Sequence, residues 1–277
     1  MAKRFETLFC GREVKMKIFI KYIKIWFLMS RNSFLGVLYY KFGLSVLLIG
    51  KVLRFIFFFS FIYFLLIGTK NLAGYSLNQT LFFFLTFNLI DVVSQFFFRE
   101  VYRFRPLIVS GDLDLVLVKP QNALFRVLLG GADIIDLLTI PPLIFAVFWF
   151  GRTLHPDLYS AILYVFMIIN GLIVSAAFHI SVLSFGIITF EVDNIVLIYR
   201  DLESLARFPI DIYKEPLKSL LTYFLPIGVM ITFPAKALMG LISPSGVLIS
   251  FLTGTLCIFA SLKLWNYALK KYTSASS

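Results

Sequence analysis

The 277-residue sequence is 60% hydrophobic and 18% aromatic but only 15% charged, whereas a soluble domain has about 45–50% apolar and about 25% charged residues. That balance excludes a water-soluble globule, because a chain of this length must still cover a large outer surface with polar groups. The net charge of +11 would suit nucleic acid as a partner, but a membrane protein acquires the same excess from loops facing anionic lipid, and the placement of the charges favours the membrane.

The N-terminus, Met1 to Arg4, lacks the apolar run and cleavage site of a secretory signal, so the first spans are expected to direct insertion. Cys10 and Cys257 have no Cys or His at ligand spacing and are read as small apolar fillers, with no metal site implied. From Val14 to Arg31 the apolar chain is punctuated by Lys17, Lys21, Lys24 and Arg31. At 100° per residue these basic residues form one narrow stripe, which predicts an amphipathic helix lying at the membrane interface and contacting lipid headgroups. Lys51 and Arg54 would be costly at the bilayer centre. They are therefore placed at the cytoplasmic headgroups, where the first full span begins, to end near Gly68.

Gly74-Tyr75-Ser76 predicts a short outer turn, and Leu77 to Phe98 is long enough to return through about 30 Å of hydrocarbon. A polar stretch from Arg99 to Arg126 follows, then a third span from Val127 to Phe150 that is expected to kink at Pro141-Pro142. Arg152 to Asp157 is an outer turn, and Leu158 to about Ile188 runs back inward. Glu191 to Lys218 holds ten charged residues, which predicts a second cytoplasmic segment. Leu220 to Phe233, broken at Pro226, is the fifth span; Pro234 to Pro244 is an outer segment; and Gly246 to about Trp265 is the sixth. This arrangement puts both termini and 23 of the 26 Lys and Arg residues on the cytoplasmic side, as the positive-inside rule expects. A single span from Ser181 to Tyr199 is the rival, but it would bury Glu191, Asp193 and Asn194.

Chemistry-bearing patterns are sparse. A Walker A loop needs Gly-Lys followed by Ser or Thr, and Gly50-Lys51 is followed by Val52. Zinc-protease and hydrolase motifs are also absent from the sequence. Asp91, Asp133, Asp136 and His179 fall within predicted spans, where ionisable groups are either paired across helices or functional. Pairing of the aspartates with Arg99 or Arg126 is the favoured reading, and His179 is expected to hydrogen-bond a neighbouring helix. Between Arg103 and Asn122 a turn at Gly111-Asp112 separates two short apolar pieces, and Pro120 ends the second. Such an element either docks into a groove on another protein or lies on the membrane.

That stretch resembles the segment between the second and third spans in permease subunits of type-2 ATP-binding-cassette (ABC-2) exporters. The resemblance rests on Leu107, Ile108, Gly111, Leu113, Asp114, Leu117, Pro120 and Asn122. A second similarity lies in Arg207-Phe208-Pro209, Tyr213, Pro226, Phe233-Pro234-Ala235 and Leu238. The resemblance implies one permease domain over residues 1–277: an interfacial segment (1–50), a six-span bundle (51–266) and a cytoplasmic tail (267–277). The implied fold is an all-α integral membrane protein with six transmembrane helices, an amphipathic N-terminal helix and a cytoplasmic coupling helix. In such a machine two permease chains, identical or paralogous, form the pathway in the inner (plasma) membrane. Separate ATPase subunits bind ATP and Mg²⁺, and the segment holding Gly111, Asp112, Leu113, Asp114, Leu117 and Pro120 contacts them. Two alternatives stand beside this. One is a proton-coupled secondary transporter with Asp91, His179 and Asp133 as its relay. The other is a membrane-embedded lipid enzyme, for which no clustered acid, His or Cys residues appear at motif spacing.

Overall fold

The computed structural model describes residues 2–69 and 71–273, with side chains from Met16 onward. The side chains of Cys10 and of the first two positions of the expected interfacial helix, together with Lys70 and the last four residues of the tail, lie outside what is described.

Helix α1 (Ala2–Tyr39) is followed by α2 (Lys41–Thr69) and α3 (Leu77–Phe98). A tight 3₁₀ turn, Arg99–Arg103, carries α3 on into α4 (Phe104–Val109), and two short helices follow, α5 (Leu113–Val118) and α6 (Ala123–Leu128). The chain continues through α7 (Ile134–Arg152), α8 (Leu158–Thr189), α9 (Val192–Ser204), α10 (Leu217–Ser219), α11 (Phe233–Leu238) and α12 (Pro244–Lys271). Among the described residues five helical runs are long and apolar enough to cross a membrane: α2, residues 77–109, α7, α8 and α12. A sixth candidate, Leu217–Phe224 with Gly228–Leu238, is bent by 76° around Pro226, whose ring removes an amide donor at the break.

Local chemistry sets the helix starts. Ser76 caps α3 by accepting from the Gln79 amide, and Gln79 reaches back to the Ser76 amide, a reciprocal capping box. The preceding turn places Ala73 and Gly74 at φ of 53° and 85°, the left-handed pair that a two-residue reversal requires. Asp157 caps α8, and the Ser160 hydroxyl and amide hold its carboxyl below the ordinary value. At α7 the expectation is corrected. The third span does not begin at Val127, because Gly130-Gly131 separates α6 from α7 and Asp133 caps the new helix by accepting from the Ile135 amide at 2.8 Å. Gly131 also lies against Ser33 and the Met29 carbonyl of α1, where a Cβ would be crowded. Pro141 and Pro142 sit inside α7 on exposed positions.

The segment from Val192 to Ile212 runs antiparallel to α3 and α4. Asp193 pairs with Arg105 of α4 at 3.0 Å, Arg200 with Asp91 at 2.5 Å, and the Tyr75 hydroxyl donates to Asp211 at 2.8 Å. This corrects the expectation that Glu191 to Lys218 gathers at one end of the bundle. Its two halves reach opposite ends, and charge counting failed because most of the inward-facing charges are paired within the protein. The rival span from Ser181 to Tyr199 is also broken, since α8 ends at Phe190 with φ of 59°.

Among the described residues three apolar clusters form the core, one at the α4 end and two side by side on different faces of α3. The first, at the α4 end, joins Phe104, Ile108 and Leu113 to Leu183, Tyr199 and Trp265. The second joins Ile62, Phe84 and Ile90 to Val174, Ile210 and Met230. The third, beside it, joins Phe82, Val147 and Tyr164 to Leu238.

Candidate functional site

Two constructions stand out: a compact element at the α4 end, and a chain of buried ionic contacts above it. In the first, Gly111 adopts φ of +77°, a conformation in which a Cβ is strained, and this reverses the chain between α4 and α5. The Ser110 hydroxyl lies 2.7 Å from both the Pro106 carbonyl and an Asp112 carboxylate oxygen, which fixes the turn. Lys119-Pro120 stops α5, and Asn122 caps α6 by accepting from the Phe125 amide at 3.0 Å. Leu113 is fully buried, in the cluster with Phe104, Ile108 and Val116. Leu113, part of the segment expected to contact the ATPase, thus faces inward and fastens the element to the bundle. The outward apolar face belongs to Val109, Leu115 (62% exposed) and Val118 (85% exposed), with Leu117 partly open.

Helix α1 packs onto the same end. The Asn122 amide donates to the Tyr22 hydroxyl at 3.1 Å, the Ala132 amide to the Ser30 hydroxyl at 3.2 Å, and Arg103 to the Ser33 hydroxyl at 3.3 Å. Trp26 meets the rings of Phe96 and Phe97, each at 6.0 Å. Tyr22, Trp26, Ser30 and Ser33 lie on one face of α1 at helical spacing, and Lys17, Lys21 and Lys24, all exposed, lie on the opposite one.

The ionic chain begins at Asp133, which pairs with Arg99 at 3.1 Å as the sequence led us to expect. Arg99 donates to Gln95, and Gln95 donates to Asp91 at 2.7 Å. Asp91 takes Arg200, not Arg99 or Arg126, and Arg200 also holds Glu203 at 2.9 Å. Glu203 is 2% exposed, so a single guanidinium bridges two carboxylates inside the protein. Arg126 instead pairs with Glu100 at 2.8 Å, and Asp136 pairs with Lys51 of α2. His179 sits beside this chain. One ring nitrogen lies 2.8 Å from the Ser175 carbonyl and the other 3.3 Å from the Tyr102 hydroxyl, with the Phe98 and Tyr199 rings packed at 4.9 Å. Between Asp91 and Asp133 stand Gln95 and Arg99 rather than His179, whose ring nitrogens meet Ser175 and Tyr102. Arg200 and Glu203 were missed in the sequence, although their i,i+3 spacing in α9 was a signal for a pair on one helix face.

At the opposite end, Asp211 accepts from the Tyr75 hydroxyl and pairs with Lys218 at 2.9 Å and Lys236 at 2.6 Å. Burial, together with the adjacent carboxylate, pushes the Tyr75 phenol well above its ordinary value. Lys218, expected inside, and Lys236, expected outside, therefore share one carboxylate. Tyr75 and Lys236 fix that side as the end carrying the first turn.

Long apolar helices with exposed hydrophobic flanks, and charges that pair inside the bundle, define a multi-pass membrane protein. Residues 49–276 match the ABC-2 family transporter protein pattern, and the chain belongs to that family. It is a membrane permease of an ABC transporter. No curated protein and no solved structure matches the chain.

Proposed function

We propose that this chain is the membrane half of an ATP-driven exporter. Two copies, or one copy and a paralogue, form the path across the plasma membrane, and separate ATPase subunits bind ATP and Mg²⁺. The observation that carries this reading is the α4–α5 element, anchored inward by Leu113 and presenting Val109, Leu115 and Val118 outward. Gly111, Asp112, Asp114, Leu117 and Pro120 give that element its shape, and the docked α1 lies beside it with its lysines free to meet anionic lipid. Closure of the ATPase pair would push on this end and shift the bundle between inward-facing and outward-facing states.

The test is co-expression with a candidate ATPase. Leu115→Asp with Val118→Asp is expected to reduce co-purification and ATP turnover at least tenfold at unchanged permease levels, because a few apolar anchors dominate such contacts. Leu113→Ala is expected to lower permease yield instead. Undiminished co-purification and turnover in the Leu115/Val118 variant would place coupling elsewhere.

In this reading both termini and the α4 end are cytoplasmic. The chain passes outward in α2, inward over 77–109, outward in α7, inward in α8, outward over 192–212 and inward in α12. The bent pair over 217–238 enters and leaves from the outer side. The antiparallel pairing of 192–212 with α3 and α4 supports this order, and the charge bias survives the transfer of Lys214 and Lys218 to the outside. Single cysteines at Lys214 and Thr153 are expected to react with an impermeant reagent in intact cells, and one at Asp112 to be shielded. Shielding at Lys214 with labelling at Thr153 would restore Glu191 to Lys218 as a wholly cytoplasmic segment.

A further inference from the structure

Between α2 and the 3₁₀ turn Leu205–Arg207 lies an open, shallow cleft of about 580 Å³, lined along α2 from Gly50 to Phe61 and bordered on the other side by Arg207. Arg54 and Arg207 both face it, and their neighbours are Leu53, Phe57, Phe58 and Phe61. The Arg207 guanidinium sits 5.4 Å from the Phe58 ring centre. Among the described residues neither arginine has a carboxylate partner. Asp91 and Glu203, the acids whose charge reaches Arg207, are both committed to Arg200.

Two guanidinium groups beside one apolar cleft repel each other, and the charge of Arg54 reaches Arg207. An anion between them would reverse the sign of the interaction. Guanidinium forks match the oxygens of phosphate and carboxylate in geometry as well as charge. The remaining wall suits hydrocarbon: Phe57 is 69% and Phe61 53% exposed. From Gly50 to Phe61 the helix is about 16 Å long at about 1.5 Å per residue, so a chain as well as a headgroup has room. We propose that this cleft is a binding site for one anionic amphiphile, its phosphate or carboxylate held between Arg54 and Arg207 and its hydrocarbon laid along Phe57 and Phe61. The site stands on this geometry and does not depend on the direction of transport or on the ATPase partner.

The test uses the full-length chain purified in neutral detergent, with ligand retention read by native mass spectrometry. The probes are dioleoyl phosphatidylglycerol, oleate and dioleoyl phosphatidylcholine. Phosphatidylglycerol or oleate is expected to bind at least tenfold tighter than phosphatidylcholine. A phosphatidylglycerol preference over oleate assigns a phospholipid headgroup, and the reverse assigns a single-chain acid. Arg54→Gln with Arg207→Gln is expected to abolish the preference for anionic ligands. Arg207→Lys keeps the charge and the fold but loses the fork, and should weaken anionic binding several-fold without affecting phosphatidylcholine. Equal retention of all three probes by the wild-type chain, or anionic binding undiminished in both variants, would overturn the proposal.

Discussion

Replacing Arg200 by Met is expected to destabilise the protein by about 3–5 kcal/mol, the usual cost of stranding a buried charge by removing its partner. Asp91 and Glu203 would be left facing one another, with Glu203 almost inaccessible to water. Burying a polar group without a partner is costly in itself, and two like charges add repulsion. Glu203→Gln should behave differently. Its amide oxygen can still accept from Arg200, and one of the two opposed charges is gone. Detergent-solubilised variants compared by size-exclusion profile and melting temperature make the check: a collapsed profile for Arg200→Met beside a near-normal one for Glu203→Gln. An Arg200→Met protein that melts like the wild type would show that the pair lies in water and contributes little.

Gly171→Val is expected to be at least as disruptive, for steric reasons. Gly171 lies in α8 where the chain of the bent pair passes closest, and a Cβ there would penetrate the Met230 carbonyl oxygen and crowd the Ile90 side chain. Overpacking of a core costs about 1–3 kcal/mol when side chains can shift, and here the obstacle is backbone. Since the colliding atom is the Cβ itself, Gly171→Ala should already lower the folded yield. Gly68→Ala is the control, with nothing within 4 Å of its added carbon. Equal yields of monodisperse protein for Gly171→Val and Gly68→Ala would mean that α8 and the bent pair do not approach as closely as described.

Much of the fold was legible where local chemistry decides it. The starts of α3 and α8 follow from Ser76 and Asp157 standing before apolar runs, and the turn between α4 and α5 follows from Gly111-Asp112. The third span was misplaced because Val127 and Leu128 are as apolar as the helix beyond them, and only the backbone break at Gly130-Gly131 and the Asp133 cap separate the two. The segment 191–218 was misread for an electrostatic reason. A count of charges treats each as free, yet Arg200, Glu203, Asp211 and Lys218 all satisfy one another or partners distant in sequence. Those partners, Asp91 and Lys236 among them, are brought near by the tertiary fold and leave no local trace. Leu113 and Leu115 are equally apolar on the page, and only the rotation of α5 against the bundle sends one inward and the other outward.

The three-way anchor at Asp211 has a mechanical consequence. Because one carboxylate holds Tyr75, Lys218 and Lys236, the far tip of segment 192–212 and both legs of the bent pair are pinned to a common pivot. The near tip is gripped by Arg105 through Asp193. About twenty residues separate these grips, a lever arm of about 30 Å at about 1.5 Å per residue. A tilt of about 4° about its near end would carry the far tip sideways by about 2 Å, and the bent pair fastened to Asp211 would move with it.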